Sequence, residues 1–346
     1  MARINEDLIR KVFDEMLKHK ASLSKMVLSE EDDADQPDYR VLADIIIKNF
    51  PWPVGIELRR LFSGSMRQLD RMRLDQIFKT IERSMQFLSF VMLSQVSKMC
   101  EEKKIDIPEA FSREFAGRFF VLSLGNYSWL IRAVGKMFKS QELEWFMPEL
   151  AECCDDKFYN ALDFWVPERN EIGHYQINLT QEEIEKRCVE YEEKLTFILG
   201  RISFLAKYRL VSVKEIKVQK PKISNATFHH VFNLLNSSDS DFKANEFNET
   251  TFTDSNSVLL LKNIKSIDSY LNLSPLVIDT STEILDSKEK FDIKKDIFMY
   301  SKFRNDQLMY LGTEVTEKVD LRSLKNYDNL LMEFRQLMSL ISPGAV

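Results

Sequence analysis

The sequence predicts an α+β fold: an antiparallel α-helical bundle over residues 1–209, then a smaller β-rich domain, 210–346, that closes on a helix. Three observations predict it. Apolar residues recur at helical spacing up to about Tyr208, alternation rich in β-branched residues begins at Leu210, and helical spacing returns from Leu321. A chain of 346 residues is long enough for two domains, each burying its own core. Gly and Pro number only 9 each, which fits long helices and excludes a collagen-like or Gly-rich chain.

The first helix covers residues 5–19, with Leu8, Ile9, Val12, Phe13, Met16 and Leu17 on one face. The acidic run 30–35 leads into Gln36-Pro37 and reads as a solvated loop. A short helix over 39–50 is stopped by Pro51-Trp52-Pro53. The longest pattern, 68–98, carries a stripe of Leu69, Met72, Ile77, Ile81, Met85, Leu88, Met92 and Val96. Further helices are expected over 109–138, interrupted at Gly125, and over 154–166. Thr180-Gln181-Glu182-Glu183 is a capping box, in which the Thr180 hydroxyl accepts the Glu183 amide while Glu183 reaches back. It opens a helix to about Tyr208.

Strands are expected over 210–218, 258–261, 276–278, 296–302 and 307–311, with residues 303–306 turning the last two into a hairpin. Residues 225–256 are dominated by Asn, Ser, Asp and Thr and read as a turn-rich surface stretch. His229-His230 falls inside it with no ligand at metal spacing. Helical spacing over 321–340 ends the chain.

Lys and Arg total 48 against 54 Asp and Glu, a net charge of −6. That balance excludes a generic polyanion binder, so any nucleic-acid contact has to be a local patch. No window reaches 18 uninterrupted apolar residues, and the first sixteen residues lack the apolar core of a signal peptide. The expectation is a cytoplasmic protein without membrane contact. Cys100, Cys153, Cys154 and Cys188 show no CxxC or Cys/His spacing, so neither a zinc site nor a disulfide framework is expected. No metal and no cofactor is expected. With no GxxxxGK[ST] and no Gly-rich strand-to-helix turn, a phosphate-loop enzyme finds no support.

The one constellation with chemistry in it is Pro167-Glu168-Arg169-Asn170-Glu171-Ile172-Gly173-His174-Tyr175. Pro167 suits a first helical position and Gly173 a helix end, which predicts a short turn over 168–172 with His174 just past it. A guanidinium, an amide and an imidazole are thereby gathered at a helix junction. These groups suit RNA cleavage without a metal. A neutral imidazole takes the proton of a ribose 2′-hydroxyl as it attacks the adjacent phosphate, and a guanidinium stabilises the charged phosphorane. The leaving 5′-oxygen needs an acid, and this segment has no second histidine. Two copies of the junction, brought together by a two-fold axis, would supply base and acid, so the chemistry predicts a homodimer. Glu168, Glu171 and Tyr175 are candidates to orient Arg169 or His174; the alternatives are that the two glutamates face solvent, or that Arg169 and His174 only cap helix ends and pair with Glu168 or Glu171.

At these residues the sequence resembles the HEPN superfamily, the higher-eukaryote-and-prokaryote nucleotide-binding fold. Its members are helical bundles carrying an Arg, commonly a polar neighbour, and a His after four to six intervening residues. Arg169, Asn170 and His174 match. The resemblance covers about residues 68–208. It implies a metal-independent endoribonuclease acting as a dimer, often a bacterial toxin or anti-phage effector held by an antitoxin or sensor partner. Arg169 and His174 would carry catalysis, with Asn170 supporting them. Members without activity also exist, so the same bundle can instead be a non-catalytic dimerisation or docking module.

The densest basic run is Arg59, Arg60, Arg67, Arg71 and Arg73. It reads first as a solvated helix face balanced by Asp70, Asp75 and Glu82. Its functional alternative is that Arg67, Arg71 and Arg73 guide an RNA backbone. Lys214, Lys217, Lys220 and Lys222 read as blunting an exposed strand edge.

Overall fold

The computed structural model of the chain describes residues 4–28, 38–174, 179–235, 244–264, 266–280, 296–314, 321–324 and 326–345. Its helices up to the first strand are α1 (Glu6–His19), α2 (Leu23–Leu28), α3 (Tyr39–Asn49), α4 (Trp52–Leu61), α5 (Arg71–Glu101), α6 (Glu109–Phe119), α7 (Leu124–Ser140), α8 (Leu150–Cys153), α9 (Asp156–His174) and α10 (Gln181–Arg201). The strands are β1 (Arg209–Gln219), β2 (Thr227–Leu234), β3 (Ala244–Glu249), β4 (Val258–Asn263), β5 (Ser266–Asn272), β6 (Val277–Asp279), β7 (Ile297–Arg304) and β8 (Gln307–Gly312), and α11 (Tyr327–Ile341) follows them. The chain is thus mixed α and β with a helix at its C-terminal end.

Two compact units divide it. Met1–Phe87 with Met147–Tyr208 builds the first, and Leu88–Phe146 with Arg209–Leu235 and Asp239–Val346 builds the second. This is not the simple cut at residue 209 that the change of period suggests. The segment Leu88–Phe146 is helical in sequence pattern but packs with the strands.

In the first unit, α1 buries Leu8, Ile9, Val12, Phe13 and Met16 and packs on α3 and α10. The chain does stop at Phe50-Pro51, but it restarts at once as α4. Proline needs no N–H partner in a first turn, so Pro53 is compatible with a helix start as well as a stop. Gly55 lets α4 approach the end of α3, because a Cβ there would meet the Ile47 carbonyl oxygen at 2.7 Å. Gly55→Ala is therefore expected to destabilise the unit by about 1–3 kcal/mol through backbone displacement. A lowered urea midpoint measures it; an unchanged midpoint would mean that α3 and α4 are farther apart. The Thr180 capping box forms in full, and α10 ends at Arg201, where a 3₁₀ turn, Ser203–Lys207, replaces the expected helical continuation.

In the second unit a five-stranded antiparallel sheet has the order β3-β2-β1-β4-β5, and β6-β7-β8 form a separate antiparallel sheet. One face of the larger sheet carries the cluster Val211, Val213, Phe232, Leu259 and Leu261. The stretch 225–256 is not all surface turn: β2 and β3 lie within it. Its Asn and Ser content hides an alternation in which Phe232 is buried. Lys217 sits in the half of β1 that pairs with β2 only, since the β4 pairing spans Arg209 to Ser212. The β7–β8 hairpin turns at Asn305 and Asp306, both left-handed with φ 52° and 61°, the conformation a two-residue type I′ turn needs. Between α6 and α7 the break falls at 120–123, and Gly125 lies inside the first turn of α7. Phe119 stacks with Phe115, Tyr300 and Phe334, which ties α6 to β7 and α11.

His230, expected in a surface turn, is 1% exposed in β2. Its Nδ1 lies 3.1 Å from the Phe228 carbonyl oxygen, and its Nε2 accepts the Thr253 amide at 3.3 Å. A ring that donates from Nδ1 and accepts at Nε2 is neutral. Burial first, and His229 weakly, push its pKa below the usual imidazole value, while the Phe228 hydrogen bond and Glu249 oppose the shift. An unfolded histidine takes up its proton near pH 6.5, whereas the folded one resists it. The unfolded state therefore binds more protons as pH falls below that value, and stability drops there. The urea midpoint is expected to fall between pH 7 and pH 5, and His230→Gln should remove part of that slope. An unaltered slope would assign the acid sensitivity elsewhere.

Candidate functional site

Helix α9 begins at Asp156 and runs without a break through Pro167 to His174. The separate turn expected after Pro167 does not form, and His174 is the last helical residue instead of lying beyond the end. A mid-helix proline forfeits one backbone hydrogen bond. Tertiary anchorage outweighs that loss. Phe158, Tyr159, Leu162 and Trp165 are buried on one face of α9. Trp165 meets Phe78 of α5 and Tyr191 of α10 edge-on, at 5.6 and 5.5 Å between ring centroids.

This anchorage fixes the next turn, which carries the motif. The Tyr191 hydroxyl donates to the Glu168 carboxylate. Arg187, one turn earlier on α10, donates to Glu171 at 2.6 Å and lies 3.7 Å from Glu168. Hydrogen bonding to Glu171 is the main cause raising the Arg187 pKa, while burial and the bond to Glu168 raise that of Tyr191. Glu168 and Glu171 thus clamp α9 to α10. They do not orient Arg169, as the sequence reading allowed; Arg187, an unforeseen partner, takes both carboxylates.

Arg169 is left on the open side. Its side chain is 49% exposed, and among the described residues its guanidinium meets only the Glu82 carboxylate, at 3.8 Å. Asn170 is exposed beside it. Asn170 and His174 are one helical turn apart. The side chain of His174 and the whole of Tyr175 lie outside the described residues.

Compared with family models, with curated proteins and with solved structures, the chain gives no match. The site therefore rests on its own residues and on the resemblance of their pattern.

The basic run divides between buried and exposed arginines. Arg73 is fully buried, so it cannot meet a phosphate, and its place among the RNA-guiding arginines is corrected. Its guanidinium binds Glu192, Asn5 and the Met66 carbonyl. Arg71 pairs with Asp75 at 2.9 Å on the helix surface, the solvated face read first. Arg67 is exposed and donates to the Tyr39 hydroxyl. Among the described residues no cluster of three His, Cys, Asp or Glu could hold a metal. The cysteines are free thiols, and burial pushes Cys100 and Cys188 up to about 11. No helix among the described residues is long and apolar enough to cross a membrane.

The residues that sequence reasoning missed are Arg187 and Tyr191. They are four apart on α10, and the Tyr191 position on its apolar stripe was the available signal.

Proposed function

We propose that this chain is a metal-independent endoribonuclease of HEPN type, acting as a homodimer on RNA in a toxin or anti-phage setting. The observation that carries the reading is the unequal use of charge on the last turns of α9. Both neighbouring carboxylates are spent on Arg187 and Tyr191, while the Arg169 guanidinium, 49% exposed and 3.8 Å from the Glu82 carboxylate, stands beside Asn170, one turn before His174. A half-exposed guanidinium in contact with a single carboxylate, at 3.8 Å, can exchange it for an incoming phosphodiester. His174 would deprotonate the 2′-hydroxyl, and Arg169 would hold the phosphorane charge. The partner copy's imidazole would protonate the leaving 5′-oxygen, giving a 2′,3′-cyclic phosphate. An antitoxin or sensor partner would cover the site in the resting cell.

The test is total RNA incubated with the purified chain in excess EDTA. Cleavage leaving 2′,3′-cyclic phosphate ends is the expected outcome. A folded dimer that leaves RNA intact supports the non-catalytic docking module instead.

A further inference from the structure

A cavity of about 340 Å³ opens in the first unit, between the start of α1, the first turns of α3 and the end of α4 with the 3₁₀ turn Gly64–Arg67. Among the described lining residues the charge is mainly positive. Arg40, Arg59 and Arg67 stand with one carboxylate, Asp44, which is bound to Lys48 at 2.6 Å. Arg59 has a partner of its own, and Asp38, just before Tyr39, acts on the charge of Arg40. Two of these arginines converge on one phenol. Arg67 donates to the Tyr39 hydroxyl at 2.6 Å, and the Arg67 and Arg40 guanidinium carbons lie 5.6 and 5.9 Å from the Tyr39 ring centroid. Among the described residues neither Arg40 nor Arg67 is in an ion pair.

Like charges gathered on a neutral hydroxyl repel one another unless an anion sits between them. Hydrogen bonding to Arg40 first, and the charge of Arg67, lower the Tyr39 pKa against an opposing desolvation, in keeping with the convergence of the two guanidinium groups on this phenol. Tyr39 and Arg40 also open α3, where the Asp38 side chain caps the Arg40 backbone N–H at 2.9 Å, so the positive potential here comes from the guanidinium groups and not from the helix end. Beneath this rim the floor is apolar, with Ile9 and Ile47 buried and Phe62 beside them. A cationic rim over an apolar floor matches a phosphate carried on a sugar and a base.

We propose that this cavity binds a phosphorylated nucleoside unit, its phosphate on Arg40, Arg67 and Tyr39 and its body against the apolar floor. The guanidinium forks reach two phosphate oxygens each, and the Tyr39 hydroxyl donates to a third. The source is either a nucleotide of an RNA strand or a free mononucleotide. The site stands apart from the Arg169–His174 motif and does not depend on its chemistry.

Titration calorimetry of the full chain with AMP, adenosine and an RNA dodecamer tests this. The full chain keeps the acidic run 30–35, so any competition from it is included. AMP is expected to bind at least about tenfold more tightly than adenosine, since only AMP brings the charge-assisted bonds. Arg40→Gln and Arg67→Gln should each weaken AMP by about tenfold, and Tyr39→Phe by less. Both arginines are exposed, so an unchanged thermal midpoint confirms that the variants fold. A dodecamer that binds more tightly than AMP identifies an RNA strand as the source; one that binds no better identifies a free nucleotide. His174→Ala should leave AMP affinity unchanged, which separates failure of this site from failure of the nuclease reading. Equal affinity for AMP and adenosine, or an AMP affinity that survives the Arg40→Gln/Arg67→Gln double variant, overturns the proposal.

Discussion

His174→Ala is expected to lower RNA cleavage by about 10²- to 10⁴-fold, the range for removing a general acid–base group. In a two-fold dimer the same residue type would serve as base in one copy and acid in the other, so the substitution removes both groups together. A heterodimer with a single altered copy should then be nearly as inactive as the doubly altered dimer, because each proton transfer needs its own imidazole. Arg169→Ala is expected to lose about 10²–10³-fold through lost phosphorane stabilisation. Arg169→Lys keeps the charge but not the fork and should recover only part of that loss. His229→Ala, in β2 of the other unit, should cleave like the unaltered chain. Gel analysis of a labelled RNA in EDTA reads all of these. Activity should also fall as pH drops below the ordinary imidazole range, because a protonated ring cannot accept the 2′-hydroxyl proton. Full cleavage by His174→Ala would end the ribonuclease reading, whatever dimer forms.

What could be read from the chain, and what could not, follows from how far apart the deciding residues lie. The helices α1, α3, α5 and α10 announce themselves because apolar residues three and four apart share a face, and Thr180 with Glu183 marks a start within a single turn. The β7–β8 hairpin is legible for the same reason: its turn chemistry, Asn305-Asp306, is adjacent in sequence. Pro167 reads as a first-turn residue because a proline costs least there, and only the anchoring face of α9 shows why it is held in the interior instead. That face is Trp165 on Phe78 and Tyr191, contacts that span most of the first unit's sequence. β2 and β3 were hidden by turn-forming composition, which local propensity cannot outweigh without the neighbouring strands. At the candidate site, the Arg169, Asn170 and His174 spacing was visible, but the fate of Glu168 and Glu171 was not. Arg187, which takes both, is 16 residues from Glu171.

Arg73→Met is expected to destabilise the chain by about 3–5 kcal/mol, the usual loss when one partner of a buried ion pair is removed. The guanidinium is wholly buried and holds several elements at once. It donates to the Glu192 carboxylate of α10 at 2.5 Å, to the Asn5 side chain before α1 at 2.9 Å, and to the Met66 carbonyl at 2.6 Å. Asn5 in turn donates its backbone N–H to Glu192 at 2.9 Å and its side-chain amide to the Leu61 carbonyl at 3.1 Å. Methionine fills similar space but takes the arginine donor from one Glu192 carboxylate oxygen, the Asn5 amide oxygen and the Met66 carbonyl. Glu192 is 14% exposed, so water can reach it and the loss should fall toward the lower end of the range. Adding Glu192→Gln to Arg73→Met removes the orphaned charge and should recover part of the stability, a coupling that an exposed arginine on an RNA-facing surface would not show. Urea midpoints of the two single variants and the double variant form the cycle. Additive losses, or an Arg73→Met chain as stable as the parent but weaker on RNA, would put this guanidinium in solvent and undo the joining of α1, α5 and α10 on which the placement of α9 depends.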